Sequence, residues 1–305
     1  LSSTLSRLDG VVPEMRSGWR GTVTDYFELT KPRIIVLLLI TTAAAMVMAA
    51  RGIPPLFTAL VTLAGGALAS GSAGAFNAVI DRDVDPLMRR TRLRPVAAGR
   101  ISPRNALIFA AAAEAVSFTL LYTLVNPLTA WLALFGNFYY VVIYSMLLKR
   151  NTAWNIVVGG AAGSIPPLVG WAAITGTIGW PALALALAVF LWTPPHFWAL
   201  ALMANIDYDK AKIPMLPAVA GVKRTKIEIL AYSVVLFVLS LLFVYFGIFG
   251  MWYLGATLVL GGVLIFNAIA ILRGPTGPRA REMFTFSLLY LALLCSAMVA
   301  DRLTT

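Results

Sequence analysis

The sequence predicts an all-α integral membrane protein of nine spanning helices, and three observations carry that prediction. Hydrophobic residues make up 60% of the 305-residue chain and charged residues only 12%, against about 25% charged in soluble domains. The mean hydropathy is +0.84. Nine apolar stretches each approach the roughly 20 residues that cross a bilayer as a helix. The hydrophilic stretches between them alternate between basic and nearly uncharged, so that all but Arg51 and Arg302 of the 24 lysines and arginines fall on one side.

The spans lie at about 33–50, 55–80, 104–125, 128–148, 154–174, 179–203, 228–248, 251–272 and 283–300. Before them, residues 1–30 mix Arg7, Arg16 and Arg20 with Asp9, Glu14, Asp25 and Glu28. That stretch has no apolar h-region and is too acidic for a transit peptide. It reads as a partly disordered cytoplasmic leader ending near Thr30–Lys31–Pro32, which leaves 31–305 as one polytopic domain. The positive-inside rule puts the N-terminus in the cytoplasm and, after nine crossings of the cell (inner) membrane, the C-terminus on the outer side. The net charge of +11 is mainly this topology signal. It also suits anionic lipid head groups, and nucleic acid is not needed to explain it. The single cysteine, Cys295, excludes disulfides and cysteine-based metal sites within one chain.

Two extramembrane loops, about 81–103 and 204–227, fall on the cytoplasmic side after spans two and six. The first holds Asn77, Asp81, Asp83 and Asp85 at its mouth, then arginines at 89, 90, 92, 94, 100 and 104. If the second span stays helical, Asn77, Asp81 and Asp85 at i, i+4 and i+8 share one face. A row of hard oxygen ligands suits Mg²⁺, which in turn suits a diphosphate. The arginines offer bidentate anion contacts. The plainer reading is a solvated salt-bridge cluster, although an amide at membrane depth such as Asn77 calls for a partner. The second loop repeats the theme loosely with Asn205, Asp207 and Asp209, so that two acidic motifs facing the same water layer can share one diphosphate.

Prolines and glycines mark the inner spans. Pro166–Pro167, after Gly159, Gly160 and Gly163, is expected to open a cavity wall where the glycines allow close helix approach. Pro194–Pro195 is expected to break or kink span six just before His196, the only histidine. A lone intramembrane imidazole serves either as a hydrogen-bonded packing residue or as a ligand. Phe138, Tyr139, Tyr140 and Tyr144 line an isoprenoid channel or anchor the span at the interface.

These strings resemble the UbiA superfamily of intramembrane prenyltransferases over about residues 26–300. Its N-x-x-x-D-x-x-x-D signature stands as Asn77, Asp81 and Asp85. The elaborations Arg82–Asp83, Arg90–Thr91, Arg94–Pro95, Thr193–Pro194–Pro195–His196–Phe197–Trp198 and Ile213–Pro214–Met215–Leu216–Pro217 are similar to the haem-directed branch of that superfamily. Many relatives carry a second D-x-x-x-D, whereas here Asp207 is followed four residues on by Ala211, which leaves Asp209 as a possible substitute.

The resemblance implies nine helices around a central cavity under cytoplasmic cap loops. It also implies Mg²⁺-dependent transfer of farnesyl from farnesyl diphosphate to a vinyl group of haem B, with water added. In that reading Asp81, Asp85 and Asp207 are catalytic, and Asn77 joins them as metal ligands. Arg90, Arg94, Lys149 and Arg150 hold the diphosphate, His196 positions the haem, and Tyr144 and Asn155 line the cavity. A haem A synthase or terminal oxidase assembly is the expected partner. The alternatives are a prenyltransferase for an aromatic or quinone precursor, and a haem carrier without catalysis.

Overall fold

The computed structural model describes residues 18–304. Among them, nine helical stretches are long and apolar enough to cross a membrane. In chain order the first five helices are α1 (Trp19–Leu29), α2 (Pro32–Ala50), α3 (Leu56–Ile80), α4 (Pro103–Leu124) and α5 (Pro127–Phe138). A π-helix, Tyr139–Leu148, completes the fourth span. The fifth is composite, with α6 (Asn155–Gly159), a 3-10 segment at Gly160–Ser164 and α7 (Ile165–Thr175). Then follow α8 (Trp180–Met203), α9 (Asn205–Lys210), α10 (Leu216–Val219), α11 (Gly221–Tyr245), α12 (Met251–Arg273) and α13 (Thr276–Thr304).

Local chemistry starts these helices where the sequence places them. Ser102 and Asn126 precede Pro103 and Pro127, and each accepts the amide of the third residue on, at 3.2 Å from Asn105 and 2.9 Å from Thr129. That is a side-chain N-cap with a proline at N1, where its missing N–H costs nothing. The outward faces carry large exposed apolar side chains such as Phe57, Trp131 and Phe266. Inside, the largest core joins α8, α11, α12 and α13 through Trp198, Leu236, Tyr253, Leu264, Tyr290 and Leu294.

Several boundaries differ from the sequence reading, for physical reasons. Residues 19–29 of the expected leader form a helix; residues 1–17 lie outside the described residues. Asp25 and Leu29 are buried, and Arg100 ties this helix down through Asp25 at 2.8 Å and Glu28 at 3.3 Å. The second cap loop is largely helical, because α9 and α10 occupy it and α11 begins at Gly221 rather than near 228. Likewise α13 starts at Thr276 rather than near 283. Both helices run past the apolar window into water on turns bearing Lys223, Arg224, Arg279 and Arg281, which a hydropathy window cannot register.

The two proline pairs behave oppositely. Pro166–Pro167 begins α7 after the 3-10 segment, so the fifth span does break there. Pro194–Pro195 sits inside α8, which is one helix from Trp180 to Met203, so of the expected break or kink the break is absent. The missing amides leave the carbonyls of Phe190 and Leu191 without helical donors, while the Thr193 hydroxyl bonds to Val189 O at 2.8 Å.

Close helix approach rests on a few glycines. At Gly170 of α7, a Cβ would stand 2.2 Å from Thr42 O and 2.9 Å from Thr42 C, so the backbone of α2 fills the space a side chain would need. Gly170→Ala is therefore expected to cost about 1–3 kcal/mol as an overpacked core does, read as a lower unfolding temperature in detergent. Gly255→Ala, in open space on α12, should leave that temperature unchanged. Equal behaviour of the two variants would refute the close α2–α7 contact.

Candidate active site at the mouth of the third helix

The site begins with how α3 ends. Its last residue is Ile80, and Asp81 is the C-cap, so the α-helix does not continue through the acidic row as the spacing argument supposed. The backbone nevertheless keeps helical steps, because Asp81 N bonds to Asn77 O at 2.9 Å and Asp85 N to Asp81 O at 2.8 Å. Asp85 opens a 3-10 turn, and the Thr91 hydroxyl fastens its carbonyl at 2.9 Å. Asn77, Asp81 and Asp85 are 2%, 0% and 0% exposed, so this is no solvated cluster.

Each carboxylate meets a cation, from the end of the fourth span for Asp81 and Asp83 and from the same loop for Asp85. Lys149 Nζ donates to Asp81 Oδ2. Arg94 forks onto Asp85 at 2.9 and 3.0 Å. Arg150 forks onto Asp83 at 2.7 Å to both oxygens, and also donates to Ile80 O at 2.7 Å. These hydrogen bonds hold the Asp83 carboxyl below its ordinary range and push the Arg150 guanidinium up. Asp81 Oδ1 is the exception. It is buried without a hydrogen-bond partner among the described residues, and Arg150 Nη2 stands 3.9 Å from it.

The π-helix delivers Lys149 to this place. Its wider turn carries the i→i−5 bond from Lys149 N to Tyr144 O at 2.8 Å. It also lets Ser145 bond back to Tyr140 O at 2.8 Å while taking the Asn77 amide at 3.0 Å. Such expanded turns recur at functional sites. The wide turn is accommodated because the Tyr144 ring lies over Gly159, where a Cβ would be 2.2 Å from Tyr144 Cδ2.

Lys31 is the functional residue that motif reading left unassigned. Gly71 and Gly74 lie six and three residues before Asn77 on α3, and both face the Thr30 bend, with a Gly74 Cβ only 3.0 Å from Thr30 O. That approach brings Lys31 Nζ onto Asn77 Oδ1. Lys31 holds a left-handed conformation, φ 59°, at a cost on the order of 1–2 kcal/mol for a residue with a Cβ. Desolvation first, then the charges of Arg94 and Lys149, lower its pKa to about 7. The sequence signal available was the lysine of Thr30–Lys31–Pro32 directly before a span.

The other predicted residues fall into place less uniformly. Arg90 reaches over to the second cap segment, where its Nη2 donates to Tyr208 OH at 3.2 Å. Asp207 is half-buried on α9 and Asp209 is exposed, so Asp207 is the inward of the two. Asn155 is fully buried and ties two segments together, donating to Thr152 O at 2.6 Å and to Lys149 O and Pro214 O at 3.5 Å. His196 stacks between Trp192 and Phe284, with centroids 4.3 and 4.6 Å away, and its Nδ1 meets Ser287 Oγ at 2.7 Å. Only Nε2 of that ring remains for a ligand.

Amide and carboxylate oxygens at one helix end, one of them buried and unpartnered, fit Mg²⁺ as a donor set. Among the described residues no three carboxylate, imidazole or thiolate groups converge as a complete metal cage. Mg²⁺ does not require such a cage, since it is commonly held by one or two carboxylates plus substrate phosphates and water. Of the site cations, Lys31 and Arg90 have no carboxylate partner among the described residues. They are the ones free to take an incoming anion without breaking an ion pair.

A membrane bundle whose second span ends in such a row defines a class. The chain belongs to the UbiA prenyltransferase family, whose profile matches residues 38–294. Among its relatives is the protoheme IX farnesyltransferase of Synechocystis sp., 52% identical over 281 residues that cover 91% of this chain and 89% of that one. The fold is similar to that of a digeranylgeranylglyceryl phosphate synthase, with a TM-score of 0.77 at 18% identity, covering 93% of this chain and 99% of the other. It is also similar to a UbiA homolog from Archaeoglobus fulgidus bound to GPP and Mg²⁺, with a TM-score of 0.63 at 18% identity over 90% and 99% of the two chains.

The Arg150 clamp on Asp83 and Ile80 O generates a prediction that needs no substrate. Asp83→Asn should loosen the end of α3. Solvent screening limits the loss to about 1 kcal/mol, so hydrogen exchange at amides 81–85 should speed up about fivefold. Unchanged exchange there would remove the clamp from the site.

Proposed function

We propose that this chain transfers the farnesyl group of farnesyl diphosphate to a vinyl group of haem B, with addition of water, giving haem O and diphosphate. The observation that carries this reading is the buried row Asn77, Asp81 and Asp85 with its unpartnered Asp81 Oδ1, in a chain half identical to a protoheme IX farnesyltransferase. The reaction breaks the allylic C–O bond, and the departing diphosphate takes the electron pair. The vinyl terminus bonds to the farnesyl carbon, and water captures the cation left beside the porphyrin, releasing a proton. The vinyl group is itself the nucleophile, so no activated serine, cysteine or lysine is required.

Asn77, Asp81 and Asp85 would hold Mg²⁺ together with diphosphate oxygens, and Asp207, which does not converge with the two carboxylates among the described residues, would join from α9 once substrate is bound. The metal would supply neutralisation of charge on the leaving diphosphate. Lys31 and Arg90 bind diphosphate oxygens first, having no carboxylate partner among the described residues. Lys149 and Arg94 keep Asp81 and Asp85 compensated while the site is empty, and turn to the diphosphate when its charge enters. Arg150 acts one step away, by fixing Asp83 and the end of α3. The bundle excludes bulk water from the allylic cation, and the Tyr140 and Tyr144 rings offer π faces to it. His196 positions haem through Nε2. The cap segments lie on the cytoplasmic side, with the N-terminus.

The test is an in-membrane assay with haem B, farnesyl diphosphate and Mg²⁺, reading haem products by mass beside Asp81→Ala and a chelator control. A farnesyl-plus-water gain that disappears in both controls is expected. Farnesyl appearing instead on a quinone precursor would overturn the acceptor, and activity surviving the chelator would overturn the metal. For His196→Ala, haem affinity should fall while farnesyl diphosphate affinity holds; unchanged haem affinity would end that residue's role.

A further inference from the structure

A groove that the chemistry above does not use runs between α1 and the outer faces of α2, α3 and α4. One part, about 340 Å³, is lined by Tyr26, Asn105 and Phe109 among others. Phe109 also lines the next part, about 330 Å³, with Phe27, Val36 and Leu68. Both parts are lined mainly by apolar surface, and Asn105 with the Tyr26 hydroxyl gives the α1–α4 end its polar groups. An acyl chain suits such a lining.

Its setting determines what covers it. On α1, Trp19, Val23 and Phe27 stand at i, i+4 and i+8 and are 73%, 58% and 61% exposed, while Asp25 and Leu29 on the opposite face are buried. Only Thr30 and Lys31 separate α1 from the membrane-spanning α2. Val36, one turn into that span, is itself 58% exposed. The apolar stripe of α1 is thus continuous, through Phe27 and Val36, with the lipid-facing belt, the arrangement of an interfacial helix. Two exposed arginines flank the groove, Arg33 beside Pro32 and Arg104 beside Asn105. Neither has an ion-pair or hydrogen-bond partner among the described residues.

We infer that this groove is a binding site for an anionic glycerophospholipid. The headgroup phosphate lies at the level of Arg33 and Arg104, the glycerol faces Tyr26 and Asn105, and an acyl chain follows Phe27, Phe109, Val36 and Leu68. The lipid presses α1 from the side opposite Arg100, which grips Asp25 and Glu28. It thereby steadies the Thr30–Lys31 bend that carries Lys31 to Asn77. The lipid site stands apart from the transferase reading, since occupancy is measured without turnover.

The full-length protein, extracted from vesicles of phosphatidylcholine and phosphatidylglycerol in equal amounts, would be examined by native mass spectrometry. Preferential retention of phosphatidylglycerol is expected. Arg33→Gln with Arg104→Gln should lower that retention about fivefold or more. Arg273→Gln with Arg281→Gln removes the same charge from exposed positions at the α12–α13 turn and should not lower it. Leu68→Trp, which fills the chain half of the groove, should displace the retained lipid in a protein that still unfolds at the wild-type temperature. Equal retention of the two lipids by the wild type, equal losses from the two arginine pairs, or full retention in Leu68→Trp would each overturn the site.

Discussion

A carboxylate with no exposure to water must be compensated, and that constraint at Asp81 organises the centre of this molecule. An isolated charge in a dry interior is too costly to persist, so a cation has to be brought to it. Lys149 comes from the far end of another span, and it arrives in register because the fourth span changes from α- to π-helix at Tyr139. The π-turn in turn needs room, which Gly159 supplies beneath Tyr144. The same turn carries Ser145, which takes the amide of Asn77. One buried charge thus fixes the helix type of one span and a glycine of the next.

The pairing is close to neutral, and that bears on catalysis. Asp81, Asp83 and Asp85 each hold a basic partner from outside the second span, so the row is stable before any metal or substrate arrives. Breaking a buried pair by removing one partner is costly, whereas exchanging one counter-charge for another is much less so. The proposed entry of a divalent cation and a diphosphate together would be such an exchange. Lys31 and Arg90 remain as cations without carboxylate partners among the described residues, and they stand on different segments. Arg90 bonds Tyr208 across to the second cap segment, while Lys31 follows the short helix that Arg100 holds against the first.

The fold was almost wholly legible from composition, because a bilayer demands long apolar helices and the chain supplies nine. Misplaced boundaries, at α11 and α13, are those where a helix leaves the membrane and its polar turns cease to look like span. Leader residues 19–29 were missed as a helix because their stability comes from Arg100, 72 residues or more away in sequence. Of the site, the spacing of Asn77, Asp81 and Asp85 was enough to single out the buried acidic row. It was not enough to say which basic residue serves which carboxylate. Lys149 and Arg94 read as anion ligands in the sequence and stand as counter-ions in the fold.

Residue type and spacing by themselves determined the class of structure, the position of the acidic row and the oxygen chemistry it offers, since each follows from local periodicity and from what a membrane excludes. Only the tertiary structure decided that Asp81 keeps an unpartnered oxygen, that Lys31 reaches Asn77, and that His196 lies between two aromatic rings. It also decided that α8 passes through two prolines unbroken. All of these depend on which helices lie side by side and how closely. Packing between distant segments, set by glycines and buried charges acting together, leaves no periodic trace along the chain.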